Sequence, residues 1–135
     1  MSNELFSPPT FVKQWANEYP DKIFLKQPYG NEYKETSWSE AHVLVAKLAH
    51  YLSRYPEKSK IAIFSGNCDD WFLIDMAIMA AGHISIPIYP TANKKTISQI
   101  LEHSEANVVF IGNTVEDFDF SIFDLCEEKI SMQSK

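Results

Sequence analysis

Binding a phosphate through the backbone needs N–H groups unobstructed by Cβ atoms, so the glycines of a phosphate loop must cluster. Here Gly30, Gly66, Gly82 and Gly112 are each separated from the next by at least 15 residues. No two can share a tight loop, so neither a Walker-type nor a dinucleotide-binding loop is present. The Ser65-Gly66-Asn67 turn joins the carboxyl end of an expected strand to a helix start, a place where α/β sheets often bind ligands. Asp69 and Asp70 follow immediately. They complement the helix dipole and repel an anion, which makes helix capping by Asn67 the better reading.

Other chemistry-bearing side chains are equally isolated. Cys68 lies in the first turn of that helix, a position that favours a thiolate. The adjacent aspartates act oppositely, and no histidine lies close by to serve as base, so a structural cysteine is expected. Asp75 is the single charge on an otherwise apolar helical run. It reads either as a polar node below a substrate tunnel or, preferably, as a carboxylate hydrogen-bonded to a neighbouring loop or hydroxyl. His42, His50, His83 and His103 make no i, i+4 or H-x-H pair, so solvated or packing roles are expected in place of metal ligation. The residues thus nominate no catalytic, cofactor-binding or metal-binding side chain.

The elements that would position these residues follow from periodicity and punctuation. Residues 8–19 predict a short helix capped at Thr10, with Phe11 and Trp15 on one face, ended by Pro20. Lys22–Gln27 and Glu32–Ser37 predict a hairpin turning at Pro28-Tyr29-Gly30-Asn31. Ser37 and Glu40 spell a capping box, and Ala41, Leu44, Val45, Leu48, Leu52 and Tyr55 form the apolar stripe of a helix closed by Pro56. Then come a strand at Ile61–Phe64, a helix over 68–81 stopped by Gly82, and a strand over His83–Tyr89 that Pro87 either places at an edge or stops. A helix capped by Thr91 or Asn93 and carrying Ile97, Ile100 and Leu101 follows, then a strand over Asn107–Ile111. Residues 113–135 predict an acidic helix with Val115, Phe118, Ile122 and Leu125 inside, capped by Thr114 and Asp117, and a frayed tail. The resulting class is α/β: an N-terminal β-hairpin followed by βαβαβ units with a parallel sheet.

Composition sets the bounds. The 135 residues favour one domain, with 45% apolar and 22% charged residues and a formal charge of −6. That charge, with Arg54 as the single arginine, disfavours a nucleic-acid surface. Cys68 and Cys126 form no disulfide framework and fit reduced thiols in the cytoplasm. No secretory signal is visible at MSNELFSPPT, and the longest apolar stretch, Trp71 to Gly82, is shorter than the roughly 20 residues a membrane span requires. The helix from Trp71 to Ala81 has almost no polar face. With the sheet on one side only, its other face would drive self-association or capture a partner.

Three phrases carry a resemblance: N-C-x-x-W from Asn67, D-x-A-x-M-A-A-G from Asp75, and P-x-Y-P-T at Pro87, Tyr89, Pro90 and Thr91. Together with the hairpin and the SWSE helix start, they resemble the AMP-forming acyl-CoA synthetases, most closely the long-chain fatty-acid branch, across residues 8–112. The resemblance implies that residues 1–135 are one partial domain, an incomplete part of the large N-terminal domain of such a ligase. Full-length relatives would activate a carboxylate with ATP and Mg²⁺ and pass the acyl group to CoA. The family's phosphate loop, adenine-binding motif, ribose aspartate and mobile-domain lysine find no match before Lys135, so a truncated, inactive scaffold is expected. A stand-alone binding or interaction module derived from that scaffold is the alternative, and generic flavodoxin-like nucleotide binding is weakened by the glycine spacing.

Overall fold

The computed structural model describes residues 7–114 and 118–132. Helix α1 covers Pro8–Glu18, and a hairpin of β1 (Ile23–Tyr29) and β2 (Glu32–Ser37) follows. Next come α2 (Trp38–Leu52), β3 (Lys60–Phe64), α3 (Asp69–Ala80), β4 (Ile84–Ile88), α4 (Lys94–Ser104) and β5 (Val108–Ile111). A 3₁₀ helix (Phe120–Leu125) and strand β6 (Glu128–Ser131) complete the order.

The hairpin is a separate antiparallel pair, while β4-β3-β5-β6 form a four-stranded sheet in which every pairing is parallel. The α/β expectation therefore holds. The alternation of side chains along a strand sorts the central sheet residues into two cores. Ile61, Ile63, Val108 and Phe110 join Leu73, Ile74, Ala77 and Ile78 of α3 and Ala41, Val45 and Leu52 of α2 on one face. Ala62, Phe64 and Val109 join Ile97 and Leu101 of α4 and Phe123 of the 3₁₀ helix on the other. The chain itself thus covers both faces of its sheet.

Local chemistry explains most boundaries and corrects several. Ser37 Oγ accepts from Glu40 N at 3.1 Å while Glu40 Oε1 accepts from Ser37 N at 2.9 Å, the reciprocal capping box. Asn93 caps α4 by accepting from Thr96 N at 2.8 Å. Pro87 does lie on an edge strand, where its missing N–H is harmless. Helix α1 starts at residue 8 as expected, but its N-cap is Ser7, not Thr10: Pro8 and Pro9 open the helix and Thr10 lies inside it. The hairpin turn is tighter, because Pro28 pairs with Tyr33 and Tyr29 with Glu32, so only Gly30 and Asn31 turn, Gly30 at φ 60°. Helix α2 ends at Leu52, short of Pro56, and Leu44 is 47% exposed and off the buried stripe.

The largest correction is at the carboxyl end. The expected acidic helix is replaced by the short 3₁₀ turn, begun by Asp119 accepting from Ser121 N at 3.1 Å, and by β6. Glu127 and Glu128 N–H both reach the Asn107 carbonyl and lead the chain alongside β5. Pairing with an open sheet edge outweighed a weak local helical pattern, and Leu125 is left 69% exposed. Of the cap and face residues expected there, Val115 and Asp117 lie outside the described residues.

Candidate functional site

The chain runs from β3 outward to β4, then returns past β3 to β5, so the strand order reverses between β3 and β5. In open α/β sheets the carboxyl end of such a reversal is the usual binding crevice. Here the protein closes the reversal point itself. Gly66 N donates to Asn113 O at 2.8 Å, and Asn113 N donates to Ser65 Oγ at 3.1 Å. Ser65, 3% exposed, also donates to Gly66 O at 2.9 Å. Gly112 sits directly beneath, and a Cβ there would run into the Ser65 side chain and the Met132 sulfur.

The open crevice lies to one side, over the carboxyl ends of β3 and β4. Ser65, Gly66, Asn67 and Trp71 form one wall and Pro87–Thr91 the other, around a hollow of about 590 Å³. The volume is that of a small-molecule pocket. None of the lining residues carries a charge, and the available polar groups are hydroxyls, an amide and an indole N–H. The geometry can hold a neutral or apolar group and contains no nucleophile–base pair. Sequence reasoning missed that Pro87, Tyr89, Pro90 and Thr91 wall a crevice. Their place just after a parallel strand was the available signal.

The start of α3, beside the crevice, is occupied by protein groups. Asn67 is exposed and does not cap it; the N-cap residue is Cys68, which makes no side-chain cap bond. The capping group comes from the hairpin instead, as Gln27 Oε1 accepts from Asp69 N at 2.9 Å. Asp69 Oδ1 accepts from Asp70 N, and Lys34 Nζ lies 3.1 Å from Asp69 Oδ2 and 3.9 Å from Asp70 Oδ1. Burial raises the Asp70 pKa, and the neighbouring Asp69 charge adds to it against Lys34. Burial works against the Lys34 ammonium, but the hydrogen bond to Asp69 and the two aspartate charges outweigh it and raise its pKa. An anion at this helix start would meet two carboxylates already in place, which disfavours a phosphate there.

The remaining expected residues are scattered. Cys68 is 8% exposed within the core under α3, and burial raises the pKa of Cys126 on the opposite face. Asp75 is half-buried and makes no hydrogen bond or ion pair with any described residue, which corrects the expected loop partner. His42 is half-buried, His50 and His103 are exposed, and His83 is buried. Among the described residues no three His, Cys, Asp or Glu side chains gather as a metal site would require.

Comparison with known proteins gives this arrangement its context. The profile of the AMP-binding enzymes matches residues 12–133. This chain belongs to the AMP-binding enzyme family. It is 37% identical over 101 residues to the long-chain-fatty-acid–CoA ligase FadD15 of Mycobacterium bovis, covering 73% of this chain and 17% of that protein. It is 25% identical over 114 residues to the chloroplastic long-chain-fatty-acid–[acyl-carrier-protein] ligase AEE15 of Arabidopsis thaliana, covering 83% of this chain and 16% of that protein. The chain therefore spans about a sixth of the length of the curated relatives it matches. Its fold superposes on a Mycobacterium tuberculosis fatty acyl CoA synthetase with a TM-score of 0.82 at 15% identity, over 98% of this chain and 28% of that one. The N-terminal domain of FACL13 from the same organism gives 0.80 at 16% identity, over 99% and 34%.

Proposed function

We propose that this chain is an N-terminal scaffold segment of a ligase that activates long-chain fatty acids, forming an acyl adenylate with ATP and then an acyl-CoA. The observation that carries this reading is the 37% identity to a long-chain-fatty-acid–CoA ligase over three quarters of the chain, inside the family match. ATP, Mg²⁺ and CoA would be handled by other parts of such a ligase, since the glycines here form no phosphate loop and carboxylates already occupy the helix start beside the crevice. Residues 1–135 on their own are then inert, and their place is the cytoplasm. No helix among the described residues is long and apolar enough to cross a membrane.

One observation favours a second reading, an independent binding module: both faces of the sheet are already covered by this chain. The outer side of α3 still exposes Phe72 at 47%, with Trp71 and Met76 half-buried beside it. That surface is where a partner, a second copy or later segments of a ligase would seat.

Two experiments test the reading. The purified chain should catalyse no carboxylate-dependent pyrophosphate exchange, and exchange above background overturns its inertness. A FadD15 chimera carrying residues 8–112 of this chain in the matching stretch should still form fatty acyl-CoA. A folded but inactive chimera would count against the scaffold role.

A further inference from the structure

Helices α1, α2 and α3, which share one face of the sheet, meet around a second hollow of about 620 Å³. Thr10 and Lys13 of α1, His42, Val45 and Ala46 of α2, and Met79 of α3 are among the residues that line it. The hollow reaches Gly82, where the chain leaves α3 for the amino end of β4. It therefore lies at the opposite end of the sheet from the crevice beside Tyr89, and the two share no lining residue.

The chain carries a formal charge of −6, but this hollow has the opposite character. Lys13 and His42 are the titratable side chains in its wall, and among the described residues no carboxylate lines it. Neither of the two forms an ion pair with a described residue. An imidazole offers an N–H in either neutral tautomer, so His42 can donate without a change of charge. Val45, 4% exposed, and Met79 supply apolar surface beside these donors, and the unbranched thioether of Met79 adapts to whatever it meets.

The backbone provides no cradle for a phosphate here. Pro8 and Pro9 have no N–H, and those of Thr10 and Phe11 donate to Ser7 O at 3.1 and 3.2 Å, so the donors that begin α1 are absent or used. At the end of α3 the Ile78 and Met79 carbonyls accept from His83 N and Gly82 N, both at 3.0 Å. Recognition of charge is left to one ammonium and one imidazole, which suits a single negative charge better than a phosphate dianion.

We propose that this hollow binds a small organic carboxylate, with its carboxyl group on Lys13 and His42 and its apolar body against Val45, Ala46 and Met79. The arrangement joins a charge-assisted hydrogen bond to the burial of apolar surface, and the volume is that of a small-molecule site. An uncharged molecule of the same shape leaves the ammonium without a partner, and an inorganic anion leaves the apolar wall in water. The site is separate from the crevice and does not rest on the ligase reading.

The test uses the whole chain and NMR titrations with octanoate, octanol and inorganic phosphate. Octanoate below its micellar range should shift the signals of Lys13, His42, Val45 and Met79 saturably and leave Tyr89 unmoved. Octanol should bind about tenfold more weakly, the scale of one charge-assisted hydrogen bond, and phosphate should not saturate the hollow. Lys13→Gln should weaken octanoate binding about tenfold and leave octanol unchanged. Ala46→Glu, at an exposed position, should abolish octanoate binding by placing a like charge in the hollow. Shifts that gather at Trp71 and Tyr89 instead, octanol binding as tight as octanoate, or saturation by phosphate alone would overturn the proposal. So would a folded Lys13→Gln chain that binds octanoate unchanged, or no saturable shift below the micellar range. If a variant fails to fold, the comparison of octanoate with octanol on the unaltered chain decides.

Discussion

Gln27 of the hairpin caps α3: its Oε1 accepts the Asp69 N–H at 2.9 Å across 42 residues of sequence. The cap is a long-range contact, so it fastens the hairpin to the helix beside the crevice. Gln27→Ala should therefore destabilise the fold by about 1 kcal/mol, the usual value of a lost N-cap. Asn67→Ala, at the exposed residue that local sequence marks as the cap, should cost much less. Denaturant melts that reverse this order would show that Gln27 is not the capping group.

Lys34 supports the same junction through Asp69, which is 8% exposed. Lys34→Met should cost on the order of 1 kcal/mol, because the half-exposed ammonium is screened while the carboxylate it leaves is buried. The pKa of Lys34 is raised by folding, so its contribution is complete below its ordinary value of 10.5 and is lost as pH rises through the higher folded value. Alkaline melts should therefore be less steeply pH-dependent in the variant than in the unaltered chain.

Ser37→Ala removes the hydroxyl that accepts from Glu40 N, leaving only the backbone N–H bond to Glu40 Oε1, and should cost about 1 kcal/mol. Ser53→Ala, at an exposed position beyond the last turn of α2, loses only a local hydroxyl bond to the His50 carbonyl and should cost much less. Equal losses in urea melts would place the start of α2 elsewhere.

Acid should weaken the chain through two exposed carboxylates. Hydrogen bonds from Ser121, then the Lys94 ammonium, lower Asp119 from 3.8 to about 2. The Ser37 backbone N–H and hydroxyl lower Glu40 from its ordinary 4.5. An acid depressed by folding contributes above its unfolded pKa and loses that contribution as pH falls through the folded one. The loss at Asp119 thus lies between 3.8 and about 2. Asp119→Asn should flatten thermal stability in that window and leave the behaviour above pH 5 unchanged.

The exposed Phe72 on α3 bears on association. Sedimentation at micromolar concentration should show self-association that Phe72→Ser reduces. A monodisperse monomer that binds no hydrophobic dye would mean that the fold is already enclosed, and would favour the independent-module reading.

Much of this architecture was legible in the sequence because it rests on short-range physics. The capping box at Ser37 and Glu40, the Asn93 cap, the stop at Gly82 and the strand alternation of Ile84, Ile86 and Ile88 all involve residues within a few positions of one another. Their backbone preferences hold whatever the rest of the chain does. The family resemblance was likewise written in contiguous phrases between Asn67 and Thr91. What required the tertiary structure was every contact whose partner is distant in sequence. Gln27 displaced Asn67 as the cap of α3, and β6 replaced an expected helix because β5 offered an open edge. The P-x-Y-P-T phrase became a crevice wall only when β4 paired beside β3. Ser65 closed the reversal point through Asn113. Local pattern fixes what each segment prefers, but an unpaired edge or N–H is satisfied by whatever group the fold brings to it.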